Sequence, residues 1–518
     1  MCLRKLSRHP ALWTLFLSFC VVPAVATLPP DAQDLLRTLP QNSVTLDVVL
    51  GRAMQSSDSF EAVKSFYPKI EAPALSAKAA LDWQLSFEIN KLEDRREATN
   101  AFAPRRNNTF SGKIGASKYF LTGTSLALEV SDGRTELDFP TITLAPFVEA
   151  KSSITLAQNL WRDSFGYATR RTAESGELQK RSLEHQFEDS IDDWAMQLTQ
   201  IFYQAWLAQA RAVASADSVK RREKLVRVTR TKQRRGTAER PDVLQVESFL
   251  LSDQSQKRAA DLELGNRWRD LVIALKLNEQ WLTTVDPIEI PIRLDSPMIA
   301  ARDDCGPPAK LAALPEPNTK VKSANLDAQA AALTAEAAEN SAAPALKLYG
   351  TVYANGVDSN GSNALGEMLG FKNPGFLVGL SFSMPLSQYA ERAAARQAIS
   401  NQMLAEARAS IAKDDFKLGW MKACLDLNRL EAHYTLKKQA YENQSERARL
   451  EERRFAIGRV NTLAVVQSED DATRAELELR EAEIQRRMAA WQVRRLQGKI
   501  KPYLEKLLEQ VSNKKHSK

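Results

Sequence analysis

Two segments decide how this chain is read: Gly236-Thr-Ala-Glu-Arg-Pro-Asp-Val-Leu-Gln-Val-Glu247 and Gly458-Arg-Val-Asn-Thr-Leu-Ala-Val-Val-Gln-Ser-Glu469. They lie 222 residues apart, and at that offset Val243 meets Val465, Gln245 meets Gln467 and Glu247 meets Glu469. Each follows a long stretch of helical periodicity. Ahead of the first, Phe187, Ile191, Trp194, Leu198, Ile201, Ala205 and Ala208 are spaced alternately by four and three. Ahead of the second, Phe416, Trp420, Ala423, Leu427, Leu430 and Tyr434 repeat that spacing. Such a seam lets helices pack side by side as in coiled coils. The first stretch has no proline from about Trp161 to Gln233, which at the rise of a helix gives about 100 Å. That is too long for the interior of a compact domain. The second stretch runs from about Gln388 to Ala456, and glycine breaks both. A shorter helix is expected after each break, over about 241–277 and 462–496.

Upstream of each long helix the period changes to two. Phe110, Ile114 and Ala116 alternate with Ser111, Lys113 and Ser117, and Leu126, Leu128 and Val130 alternate with Ser125, Ala127 and Glu129. Ser131-Asp-Gly-Arg134 reads as the turn that ends this run, with further strand at 142–144 and 154–156. In the second half, Leu346, Leu348 and Val352 alternate with Lys347, Tyr349 and Tyr353, and Val378, Leu380 and Phe382 alternate with Gly379, Ser381 and Ser383. The stretch between them, Gly356 to Pro374, reads as a Gly/Asn/Ser loop. Period-two alternation gives a strand one apolar and one polar face. The N-terminal part to about residue 100 reads as helical, with breaks near Pro68 and Pro73. The shared order of strands, long helix, glycine break and shorter helix marks an internal duplication.

This order resembles the TolC-like outer membrane efflux protein family over about residues 43–500. The specific matches are Gly236 with Asp242-Val-Leu-Gln-Val-Glu247, the opening Ser43-Val-Thr-Leu-Asp-Val-Val-Leu50, and the strand-to-helix segment Ser381-Phe-Ser-Met-Pro-Leu386. The resemblance implies a mainly α fold with a β-barrel part. Long coiled-coil-like helices would form a periplasmic tunnel, and four strands per subunit would close a shared barrel in a homotrimer. It implies a passive exit duct in contact with outer-membrane lipid, a periplasmic adaptor and an inner-membrane transporter. Adaptor docking is expected at the helix tips, Arg235, Gly236, Thr237, Ile457, Gly458 and Arg459. The gate is expected just behind them, at Asp242, Ala464 and Gln467. The family's best-known members place aspartates at the second-repeat gate positions. Here those positions are Ala464 and Gln467, which predicts an entrance with weak affinity for multivalent cations. The first-repeat strand-to-helix junction, Gln158-Asn159-Leu160, also lacks the usual proline.

The expected organisation is a signal peptide over 1–26, a first repeat over 27–285 and a Pro-rich linker or insertion over 286–321. A second repeat over 322–500 and a C-terminal tail over 501–518 follow, the tail ending in Asn513-Lys-Lys-His-Ser-Lys518, which reads as disordered. Within the first repeat the strands span about 110–158, the long helix 161–233 and the tip turn 234–242; in the second they span 345–386, 388–456 and 457–464. The signal reading rests on Arg4, Lys5 and Arg8, the apolar run Ala11–Val22 and the small residues Ala24 and Ala26. Bulky Phe19 before Cys20 argues against lipid attachment. The run is shorter than the roughly 20 apolar residues a spanning helix needs, and no other stretch qualifies. A membrane would therefore have to be crossed by strands.

The formal charge of +7 falls to +4 without the three basic residues of 1–26, which is too balanced to suggest nucleic-acid binding. The basic run Lys220–Asp242 reads as a solvated helix face or as a positively charged tunnel entrance. Trp194, Trp206 and Trp420 read as packing residues, and Tyr349 and Tyr353 as residues of a polar wall. Histidines 185 and 433 lack metal-ligand spacing, and there is no phosphate loop, nucleophile elbow or Cys-x-x-Cys. No enzyme activity and no cofactor are expected. Cys305 and Cys424 remain as candidates for pairing, although nothing in the sequence brings them together. The rival reading is a soluble periplasmic coiled-coil scaffold or adaptor, which would have no need of strands with an apolar face.

Overall fold

A computed structural model describes residues 43–516, apart from 96, 98–99, 101–102, 141–143, 280, 285, 289, 295–304 and 307–312. The proposed signal peptide and residues 142–143 of an expected strand lie outside the described residues. Leu144 is not in a strand.

Three short helices open the described chain: α1 (Leu46–Ser56), α2 (Asp58–Lys64) and α3 (Tyr67–Lys78). Pro68 sits in the first turn of α3, where its missing N–H costs nothing, and Pro73 lies inside the helix. Four antiparallel strands follow: β1 (Gln84–Arg95), β2 (Arg106–Tyr119), β3 (Thr124–Asp138) and β4 (Phe147–Asn159). The long helix α4 (Tyr167–Arg234) then runs to the tip, and α5 (Arg240–Ala274) returns. After the Pro-rich segment come α6 (Thr319–Ser341), β5 (Ala345–Asp358), the small helix α7 (Gly361–Leu369) and β6 (Asn373–Ser383). The second long helix α8 (Tyr389–Ala456), its return helix α9 (Thr462–Leu496) and α10 (Ile500–His516) complete the chain.

The duplication is visible in the helix boundaries. α4 and α8 are both 68 residues long, and α5 and α9 are both 35. Each begins and ends at an offset of 222 from its counterpart. Even the residues before the long helices match, with Gly166 and Gln388 both left-handed, at φ 76° and 48°.

Several expectations are corrected. Among the described residues the sheet has six strands in sequence order, not four. The segment expected to be helical to residue 100 contains β1, and the Ser131–Arg134 turn is instead the middle of β3. The Gly356–Pro374 loop contains α7, whose Ala364 and Met368 pack on Val148 and Ala150. The described part of the tail, to His516, is helix: Ile500, Leu504 and Leu507 of α10 are buried. They join a core that gathers Leu46, Val49 and Leu50, Leu198 and Phe202, Trp268 and Leu271, and Trp491. Beside it Gln209 holds the start of the Pro-rich segment, donating to the carbonyls of Pro287 (2.8 Å) and Ile290 (2.6 Å) and accepting from the Ile292 N–H (3.1 Å). The far part of that segment is stapled by a Cys305–Cys424 disulfide with both cysteines fully buried.

In the half nearer the sheet, α3, α4, α6 and α8 lie side by side in that order; in the half nearer the tip the order is α5, α4, α9, α8. Both halves are four helices wide. Trp194, Trp206 and Trp420 are all buried in these layers, as packing residues.

Candidate functional site: a two-faced sheet and a double helix tip

Register decides the character of the sheet. One row crosses all six strands as Leu85, Ala116, Leu128, Ile154, Val352 and Phe376. Its large residues are exposed, from 37% at Leu128 to 81% at Phe376. The next row on the opposite face reads Ser86, Gly115, Glu129, Ser153, Tyr353 and Gly375. Beyond it, Glu88, Lys113, Ser131, Lys151, Asn355 and Asn373 form another polar row. Lys113 and Glu129 pair at 2.8 Å on that face. Tyr349 and Tyr353 lie on it too. Their rings occupy the space a Cβ would need at Gly379 and Gly375, so they lie along the wall. The first row, apolar across all six strands and open to solvent, marks a surface suited to another apolar phase.

At the opposite end the expected tips are both present. Gly236 and Gly458 are left-handed, with φ 74° and 77°. In each the residue after glycine donates its N–H back across the helix end: Thr237 to the Lys232 carbonyl and Arg459 to the Arg454 carbonyl, both at 2.9 Å. This is a Schellman closure, which satisfies carbonyls the helix leaves open. Arg235, Gly236, Thr237, Ile457, Gly458 and Arg459 are all exposed. Val243 and Val465 are buried directly behind the two turns. Leu225, Val226, Val246, Phe455, Val465 and Val466 form one apolar cluster. Lys232 ties one tip to the other, with its ammonium 3.5 Å from the Phe455 ring centre.

The three residues expected at the gate have local duties. Asp242 accepts from the Glu239 N–H at 2.9 Å as half of a capping box that starts α5. Ala464 is half-buried and its N–H is capped by the Asn461 side chain at 2.9 Å. Gln467 is exposed.

The basic run is not a uniform solvated face. Lys224 pairs with Glu452 at 2.8 Å and Arg230 with Glu247 at 2.7 Å. Arg222 is buried, meeting Asp253 at 3.0 Å, Asp470 at 2.7 Å and Glu469 at 3.5 Å. It thereby joins α4, α5 and α9. Burial raises the carboxyls of Glu469 and Asp470 despite the attraction of Arg222. Continuing the seam from Ala208 by fours and threes reaches Ala212, Ser215, Val219 and Arg222. That extension is the signal in the sequence that marks Arg222 as buried.

A second buried carboxyl lies midway along α4. Asp192 is 4% exposed, and its pKa is pushed up to about 7, chiefly by burial and then by neighbouring Asp189. Glu188 beside it receives Lys501 of α10 at 2.6 Å, and Arg495 pairs with Asp189 (3.2 Å) and Asp193 (2.6 Å).

A sheet with an exposed apolar row is thus set on paired helices about 100 Å long. Among solved structures, the chain is similar to the outer membrane protein VceC from Vibrio cholerae, at 12% identity and TM-score 0.63 over 88% of this chain and 96% of that one. It is similar to the Campylobacter jejuni CmeC outer membrane channel at 12% identity and TM-score 0.63, over 89% of each chain. The open state of the Neisseria gonorrhoeae MtrE outer membrane channel matches at 14% identity and TM-score 0.59, over 88% of each. These likenesses establish a shared fold. No protein-family profile matches the sequence, and no characterised protein matches it in sequence.

Proposed function

We propose that the protein is the outer-membrane exit duct of an efflux or type I secretion assembly, acting as a passive homotrimeric channel. The continuous apolar row from Leu85 to Phe376, backed by polar rows, carries this reading over the soluble scaffold. A sheet with that pattern fits a barrel wall with lipid outside and water inside. A single copy leaves both sheet edges open, which hydrocarbon does not tolerate, so copies must share one barrel. The fold shared with outer membrane channels supports the same conclusion. The energy for transport comes from an inner-membrane transporter, reached through a periplasmic adaptor.

The adaptor docks at the two exposed tips, Arg235-Gly236-Thr237 and Ile457-Gly458-Arg459. A valine at Gly236 or Gly458 would strain a left-handed position. Transport should fall in these variants while trimer and membrane insertion persist. Intact transport in both would overturn the docking assignment.

The entrance carries exposed Arg227, Arg234, Arg235, Arg240 and Arg459, with Ala464 and Gln467 where the best-known relatives have acids. Each charge recurs in every copy around one axis, which strengthens the local field. Trivalent cations applied from the periplasmic side should block single channels weakly, and Ala464→Asp should make the block strong. Strong block of the unmodified channel would refute the entrance reading. The duct itself is tested by fractionation and detergent crosslinking. A three-subunit species in the outer membrane is expected, and a soluble monomer would overturn the function.

A further inference from the structure

The first repeat holds two strands more than the second. At the offset of 222, β3 falls on β5 and β4 overlaps β6, so the hairpin β1–β2 has no counterpart among the described residues. It is nevertheless in full register with the rest: β2 pairs with β3 over every residue from Arg106 to Tyr119. The apolar row also continues onto it, with Leu85, Phe87 and Ile89 exposed by 80%, 68% and 56%. The hairpin therefore extends the same wall and does not lie against it as a flap.

We propose that three copies close one barrel of eighteen strands, six from each, with β6 of every copy pairing to β1 of the next. The inference rests on the duct reading above. Three features on the two edges favour a second copy of this chain as the occupant. First, the strand number is even and every neighbour is antiparallel, so β6 and β1 run in opposite directions and can pair in the same sense. Second, Phe376, Val378, Leu380 and Phe382 of β6 are exposed on the same face as Leu85, Phe87 and Ile89 of β1. Joining the edges therefore continues one apolar belt around the barrel. Third, the two rings match in size. Four helices abreast per copy give a ring of twelve, about 100–120 Å around at the usual interaxial spacing. Eighteen strands at ordinary spacing and tilt give about 113 Å, whereas twelve give about 75 Å.

The consequence is a passage about 36 Å wide between backbones, against about 24 Å for twelve strands. Barrels of sixteen to eighteen strands keep an aqueous interior that side chains do not fill. Tyr349 and Tyr353, lying along the wall over Gly379 and Gly375, leave that width open. The barrel is then no narrower than the helix ring, and discrimination among cargoes falls to the tip.

Crosslinking of the full chain tests this. Ile89→Cys on β1 is combined in turn with Val378→Cys, Leu380→Cys or Phe382→Cys on β6, with the native disulfide retained. Within one copy these strands are separated by four others, about 24 Å apart, so a bond can form only between copies. At least one pair should shift most of the chain into a trimer ladder on a non-reducing gel. Leu128→Cys on β3 with the same partners should give none. A ladder from β3, or no ladder from β1 in a membrane trimer, overturns the eighteen-strand closure and leaves the duct standing. A parent chain that is neither trimeric nor in the membrane overturns both. An electron-microscopy map of the unmodified trimer tests the closure without any substitution: eighteen strands around the barrel support it and twelve overturn it.

Discussion

The two repeats agree to the residue in their helices and disagree in their strands. All four helix boundaries recur at 222, yet one repeat brings four strands and the other two. Helices packed abreast must begin and end level with one another, because a seam displaced by one residue rotates by about 100° and loses its partner. A sheet can widen by a hairpin at its edge without shifting any other strand. The repeats differ at single positions too. Phe202 of the first corresponds to Cys424 of the second; both are fully buried, one in an all-apolar core and one in a disulfide. Buried Arg222 corresponds to half-buried Gln444, and Lys276 to Gly498.

Each difference offers a way to break the equivalence. The largest effect is expected at the disulfide, which closes a loop of 119 residues. Its removal by Cys305→Ser with Cys424→Ser should cost about 4–5 kcal/mol on loop entropy alone. Denaturant unfolding of the purified protein would show it as a lowered midpoint. Next comes Arg222→Ala, which leaves the largely buried carboxylates of Asp253 and Glu469 without their cation. About 3–5 kcal/mol is expected, read as protease cleavage near the tip. Gln444→Ala, at the equivalent half-buried position with no buried ion pair, should stay within about 0.5 kcal/mol.

Asp192 comes third. Its carboxyl titrates about 7 in the folded protein against 3.8 for the unperturbed group. The unfolded chain thus gives up this proton first, and folding loses stability as pH rises from about 4 to 7. Asp192→Asn should therefore stabilise the protein at pH 8, by on the order of a few kcal/mol. The gain should vanish near pH 4. A pH-independent gain would place its origin elsewhere. A smaller effect than at these three sites is expected at Lys276, held at φ 49° where the second repeat has Gly498. Lys276→Gly should raise stability by about 1 kcal/mol, and Gly498→Lys should lower it comparably. Both are measurable as shifts in the melting midpoint.

What could be read from the sequence followed from periodicity. The four-three seams located α4 and α8, and the glycines that end them located both tips. β1 was hidden because Leu85, Ile89 and Leu92 also sit at helical spacing, so its period is ambiguous over so short a run. The middle of β3 was hidden because Ser131, Asp132 and Gly133 carry turn chemistry, which strand pairing on both sides overrides. α10 was obscured by the lysines that end it, although Ile500, Leu504 and Leu507 keep helical spacing. The disulfide could not be read at all, because 119 residues separate its cysteines and only packing in three dimensions unites them. At the tip, positions were legible but duties were not: Asp242 and Asn461 cap helices, a task visible only once the turn geometry is known.

The equal lengths of α4 and α8 turn the molecule into a ruler with two coupled edges. Removing one heptad from α4 alone would lift its tip about 10 Å above its twin and separate Lys232 from Phe455. Any viable change in reach must therefore be made several times over, in whole heptads, in both long helices and both return helices. Length in such a protein changes in quantised, synchronised steps, and whatever meets the tips must either keep its distance or change by the same increment.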